Sequence, residues 1–124
     1  MLDRFTVQDF KSLVDVSVDL SVVNVFIGAN GSGKSNLLEA VGILGAAASG
    51  RVNDESLKYR GVRPGVPALY KSSFQHKRGA VHIRFKADGY GASYTISLLN
   101  PIERPTPDWV FKHEQLRHGN RRIV

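Results

Sequence analysis

The chain has 124 residues, no cysteine and a formal net charge of +6. That length fits one domain, and the lack of cysteine excludes a disulfide framework and a Cys-based zinc site while suiting a reducing cytoplasm. The uncharged stretch from Ala40 to Gly50 is too short and too rich in small residues to span a bilayer, and Met1-Leu2-Asp3-Arg4 runs straight into apolar alternation, so a soluble protein without a membrane partner is expected.

In chain order, Phe5 and Val7 alternate with Arg4, Thr6 and Gln8. After a turn near Phe10-Lys11-Ser12, Val14, Val16, Val18 and Leu20 alternate with Asp15, Ser17 and Asp19. Period-2 alternation predicts two half-buried strands, paired antiparallel at a sheet edge. Val22-Val23-Asn24-Val25-Phe26-Ile27 is a near-continuous apolar run and predicts a strand buried on both faces. A helix is predicted from Ser35 to about Leu44, with Leu37, Leu38, Val41 and Leu44 on its apolar side, losing definition at Gly45–Gly50. A short helix is expected around Asp54–Tyr59, then irregular chain broken by Pro64 and Pro67. Val81, Ile83 and Phe85, then Tyr94, Ile96 and Leu98, predict a hairpin turning at Asp88-Gly89. Trp109 to Leu116 reads as a further strand, with Gly119-Asn120 turning into Arg121-Arg122-Ile123-Val124.

Between the apolar run and the first helix stands Gly28-Ala29-Asn30-Gly31-Ser32-Gly33-Lys34-Ser35, which matches G-x-x-x-x-G-K-[ST] in the strand–loop–helix setting that motif needs. Glycines at 28, 31 and 33 let the backbone wrap an anion, and successive N–H groups then point inward at the positive end of a helix dipole. Lys34 can reach the β- and γ-phosphates of a nucleotide, and the Ser35 hydroxyl is the candidate Mg²⁺ ligand. The amides of Gly31, Ser32, Gly33, Lys34 and Ser35 are the candidate anion donors. A plain connecting turn would need neither Lys34 nor Ser35. Glu39, one helical turn past Ser35, is expected to point away from the phosphates.

Charge is unevenly spread: residues 1–50 carry −2, 51–90 carry +6, 91–100 none and 101–124 carry +2. The basic middle fits either a polyanion partner or a solvated face balanced elsewhere. His76, His82, His113 and His118 lack metal-ligand spacing and read as surface or packing residues. Trp109 reads as a core or interface anchor.

Asp9-Phe10-Lys11-Ser12-Leu13, together with Asn24 through Ala40, resembles the N-terminal half of an ABC-type ATPase head of the RecF/SMC branch. Its nearest likeness is to prokaryotic "AAA family ATPases" close to that branch. Leu57-Lys58-Tyr59-Arg60-Gly61 and Lys77 through Phe85 resemble later segments of such heads. The resemblance covers most of residues 1–99. It implies an α/β fold: a P-loop NTPase lobe, with a mixed sheet that has an antiparallel β portion, over residues 1–124. It also implies that Lys11 and Ser12 lie near the nucleotide, with Asn30 and Asn36 in the binding segment. Arg60 matches an arginine loop that faces DNA or a partner head, and Arg63, Lys77 and Arg78 extend that basic surface. Lys11 stands where arginine is commoner, which weakens a bidentate phosphate contact.

Within these residues no apolar run leads into an Asp or Asp-Glu pair, and no Leu-Ser-Gly-Gly signature occurs. The expectation is a partial fold: a nucleotide-binding lobe, excised or naturally truncated, of a cytoplasmic ATPase acting in DNA repair, maintenance or defence. A complete site would need a C-terminal half and a second head, and this chain alone would not hydrolyse ATP. The alternative is a non-catalytic nucleic-acid-binding module that uses the basic surface of residues 51–90.

Overall fold

The computed structural model describes residues 2–25, 27–28, 33–63, 82–99 and 108–124. Six strands make one sheet: β1 (Leu2–Phe10), β2 (Leu13–Asp19), β3 (His82–Gly89), β4 (Ala92–Leu99), β5 (Val110–His118) and β6 (Arg121–Arg122). Two helices, α1 (Lys34–Ala48) and α2 (Asp54–Tyr59), lie between β2 and β3 in the chain. The strand order is β2-β1-β3-β4-β5-β6. Every pairing among the described residues is antiparallel, so the expected mixed sheet is not what forms there. The expected antiparallel portion does form.

Alternation decides which side of the sheet is buried. Val7 pairs with Val16 on one side and with Phe85 on the other, and Phe85 pairs with Ile96, giving an apolar row across four strands. A second row runs Val18–Phe5–Ala87–Tyr94. On this face Phe5 stacks on Phe85 at 6.0 Å between centroids, and Phe10 meets the same ring at 5.9 Å. Leu37, Ala40, Ile43, Leu44, Ala46 and Ala47 of α1 join the same core. The opposite face carries Thr6, Gln8, Arg84, Lys86, Thr95 and Ser97.

The β1–β2 pair forms as the alternation predicts, with Lys11 and Ser12 as its turn. The second hairpin also forms, but its turn is Tyr90-Gly91 rather than Asp88-Gly89. Both turn residues have positive φ, 56° and 69°, which a two-residue hairpin loop matched to strand twist requires. The short helix spans Asp54–Tyr59 as expected, closed by a reciprocal capping box between Asn53 and Ser56. Trp109 is buried, and its amide donates to the Val52 carbonyl at 2.8 Å, which ties the start of β5 to the α1–α2 linker.

Two further expectations fail, each for a physical reason. The first helix continues through Gly45–Ala48, because alanines at 46, 47 and 48 are strong helix formers and the first two are buried. Its buried side runs through Leu37, Ala40, Ile43, Leu44 and Ala47, so Leu38 and Val41 face outward at 55% and 40% exposure. Nor do the described residues of the predicted buried strand, 22–25 and 27, form one. Val22, Val23, Val25 and Ile27 are between 77% and 92% exposed. Local bonding bends the chain instead: the Ser21 amide donates to Asn24 Oδ1, Asn24 Nδ2 donates back to the Ser21 carbonyl, and Ser21 Oγ donates to the Val23 carbonyl, each at 2.9 Å. Apolar side chains alone do not make a strand; the backbone needs a neighbour, and among the described residues none lies beside this segment.

Candidate functional site: the start of the first helix

Helix α1 begins where the glycine motif ends. Gly33 caps it with φ 93°, and it has no side chain to satisfy the first amides; the first turn holds no acidic residue. An N-terminus with orphan donors and no compensating carboxylate is suited to an anion. A Cβ on Gly33 would sit 3.2 Å from Ser12 Oγ and 3.5 Å from Leu13 Cδ2, so glycine is needed for both the φ and the close approach. Lys34 turns back toward the residue that opens the motif, its Nζ donating to the Gly28 carbonyl at 2.6 Å. Ser35 is exposed on the first turn. A small residue, an ammonium and a hydroxyl thus converge on one helix end, a donor set that fits a polyphosphate with its Mg²⁺. Ala29, Asn30, Gly31 and Ser32 lie outside the described residues.

The β1–β2 turn is brought to this helix end. Asn36 Nδ2 donates to Ser12 Oγ at 2.7 Å, linking the turn to the first turn of α1. Lys11 takes a positive φ of 49° in that tight turn. Its ammonium goes to Glu39 Oε2 at 2.9 Å, one helical turn beyond Ser35, and lies 5.7 Å from the centroid of the Phe10 ring. Arg63 Nη2 approaches the other oxygen, Glu39 Oε1, at 3.8 Å. Glu39 is therefore a hub between the turn, the helix and the segment after α2. Sequence reasoning misses this role; the i+4 spacing of Glu39 from Ser35 is the one signal for a place on this face.

Arg60 lies at the far end of α1. Its Nη2 donates to Ser49 Oγ at 2.7 Å, its Nη1 reaches the Ser56 carbonyl at 3.5 Å, and its guanidinium lies 5.6 Å from the Tyr59 ring centroid. A Cβ on Gly45 would come 3.0 Å from Arg60 Nε, so the guanidinium rides close over the helix. Since α1 has no basic residue in its last turn, Arg60 supplies a cation there from a neighbouring segment. Arg63 is 85% exposed and, with Ser35, Glu39, Arg60 and Val62, lines an open cleft of about 300 Å³. Lys77 and Arg78 lie outside the described residues. Among the described residues no cluster of three or more His, Cys, Asp or Glu can hold a metal, and no helix is long and apolar enough to cross a membrane.

A helix start with free amide donors, directly after a glycine-rich sequence motif and joined to an antiparallel β portion, is an arrangement that suits a P-loop protein. Residues 1–84 match the family model described as the AAA ATPase domain, and the chain belongs to that family. Curated relatives point to the same branch as the motifs. The "DNA replication and repair protein RecF" of Halothermothrix orenii is 45% identical over 53 residues, covering 42% of this chain and 14% of that protein. The protein of that name from Lactobacillus acidophilus is 46% identical over 55 residues, or 44% of this chain and 15% of the relative. That from Lactobacillus gasseri is 34% identical over 82 residues, or 65% and 20%. The chain thus spans a fifth or less of the length of these relatives.

Proposed function

We propose that this chain is the nucleotide-binding lobe of a RecF-like ATPase that binds ATP with Mg²⁺ at Gly28–Ser35 and serves DNA repair, maintenance or defence. The observation that carries this reading is the α1 start: an uncapped N-terminus, a glycine held at φ 93° and a lysine ammonium turned back toward the residue that opens the motif. In this reading Lys34 gives up the Gly28 carbonyl for the distal phosphates. The amides from Gly31 to Ser35 hold the phosphate chain, and Ser35 supplies one Mg²⁺ ligand. Bound Mg²⁺ supplies charge neutralisation between phosphates. Ser12 and Asn36, already bonded to each other, fix the turn beside the loop, and Lys11 reaches a phosphate only by leaving Glu39. A C-terminal half and a second head complete the site.

The nucleic-acid arm of the proposal assigns Arg60, Arg63, Lys77 and Arg78 to a surface facing DNA. Of the two described, Arg63 is the better placed, being largely exposed, whereas Arg60 is engaged in packing the helix end. The test is Lys34→Ala in calorimetry with Mg-ATP. One charge-assisted contact is worth roughly 1.5–3 kcal/mol, so affinity falls at least about tenfold. Equal affinity in wild type and variant would refute the reading.

A further inference from the structure

The sheet face turned away from α1 holds a cluster that the nucleotide reading leaves unused. His82 and Arg84 of β3, Thr95 and Ser97 of β4, and Lys112 and His113 of β5 line a pocket of about 330 Å³, open to solvent. A β-bulge makes it. Ser97 pairs with His113 but Leu98 pairs with Phe111, so Lys112 is the extra residue and β5 presents Lys112 and His113 side by side. Arg84 is steadied from below, its Nε donating to Ser97 Oγ at 3.4 Å, and Ser97 is only 4% exposed. Among the described residues that line it there is no carboxylate. On this face Asp88 is paired with Lys86 at 3.6 Å, and Asp15, two strands from Arg84, lies against Gln8 Nε2 at 3.4 Å.

We propose that this pocket is a second anion site, separate from the glycine loop, which takes a phosphodiester of a nucleic-acid backbone lying across β3, β4 and β5. The inference deepens the nucleic-acid arm of the function proposed above and moves its anchor to the opposite side of the sheet. Three features select that ligand. A guanidinium, an ammonium, two imidazoles and two hydroxyls offer donors with no competing carboxylate among the described lining residues, as phosphate contacts require. The trough is open at the surface, so a chain can cross it. The described residues that line it include no phenyl, phenol or indole ring, so they offer bases no large stacking platform and binding is sequence-independent.

The test uses the whole chain and a labelled mixed-sequence duplex, followed by anisotropy from low to moderate salt. Arg84→Gln combined with Lys112→Gln lowers affinity several-fold and makes the log K against log salt slope shallower by roughly 0.9 for each phosphate no longer neutralised. ATP affinity stays unchanged in that variant, whereas Lys34→Ala changes ATP and spares the duplex, so the two sites fail separately. An unchanged duplex affinity and slope, or no duplex binding by the wild type, overturns the proposal. Should the double variant misfold, the ring resonances of His82 and His113 in wild-type protein give an independent readout. Shifts on adding duplex, and not on adding inorganic phosphate at matched ionic strength, support the assignment. An equal response to inorganic phosphate overturns the nucleic-acid assignment, and no response to either overturns the site.

Discussion

Tyr94 shows how one side chain ties stability to pH. It sits at the inner face of β4, and its hydroxyl donates to Glu114 Oε1 across the β4–β5 pair at 2.7 Å. Burial, the hydrogen bond to Glu114 and the charge of that carboxylate all push the phenol well above its ordinary value. All three disfavour the phenolate, since an anion beside a carboxylate is both desolvated and repelled. In the unfolded chain the phenol ionises near pH 10. Between that pH and the higher folded value, the unfolded state binds fewer protons than the folded one, so stability falls as pH rises. Below about pH 10 the contribution is present in full. Denaturant titrations at pH 8 and pH 11 should show a loss at high pH that is smaller in Tyr94→Phe than in wild type. An equal loss would mean that Glu114 and burial do not hold the proton on Tyr94.

At the scale of elements, the α1–α2 pair is organised by small residues. A Cβ on Gly42 would meet Val62 Cγ2 at 2.5 Å and lie 3.6 Å from the Arg60 carbonyl. Val62 is 3% exposed and belongs to the core, so it has little room to give. Gly42→Ala therefore sets two effects against each other. Helix propensity favours alanine by about 1 kcal/mol, while overpacking costs about 1–3 kcal/mol. Packing wins, and the variant should melt lower than wild type; Val62→Ala in the same chain should recover part of the loss. A higher melting temperature for Gly42→Ala alone would show that the α1–Val62 contact is loose. This arrangement also explains what is legible in the sequence. Strands are legible wherever one face is buried, because Phe5, Val7, Ile83, Phe85, Ile96 and Leu98 keep a period of two. The capped helix at Asp54–Tyr59 is legible from local chemistry. The exposure of Val22, Val23, Val25 and Ile27 is not, because composition reports that a segment can be buried and says nothing of whether a pairing strand stands beside it. The length and face of α1 escape for a related reason: Ala40, Ala46 and Ala47 share its buried stripe with Leu37, Ile43 and Leu44, and small residues at Gly42 and Gly45 are what neighbours approach. At the candidate site, the residue types of the loop are legible, but the Glu39 hub and the bulge at Lys112 join segments far apart in sequence, and no local pattern announces them.

For the whole molecule, the question is whether this set of groups can do more than hold a nucleotide. Phosphoryl transfer to water needs a metal held from two sides, a group that orients the attacking water, and positive charge beyond the γ-phosphate. Ser35 offers one metal ligand and Lys34 part of the charge. The carboxylate one turn along α1 from this helix start, Glu39, is 15% exposed and held by Lys11 at 2.9 Å, with Arg63 at 3.8 Å from its other oxygen. Freeing it for catalysis would strip a partly buried charge of its partner, which is costly. Glu114 on β5 is occupied by Tyr94. Removing one stabilising group commonly lowers a rate by about 10²–10³, and here the second metal ligand, the water-positioning group and an opposing loop all lack candidates among the described residues. Purified chain with Mg-ATP should therefore release phosphate no faster than its Lys34→Ala variant, even where calorimetry shows that the wild type binds ATP. Turnover near 1 s⁻¹, of the order usual for slow enzymes, abolished by Lys34→Ala, would overturn this and place the missing groups within these 124 residues.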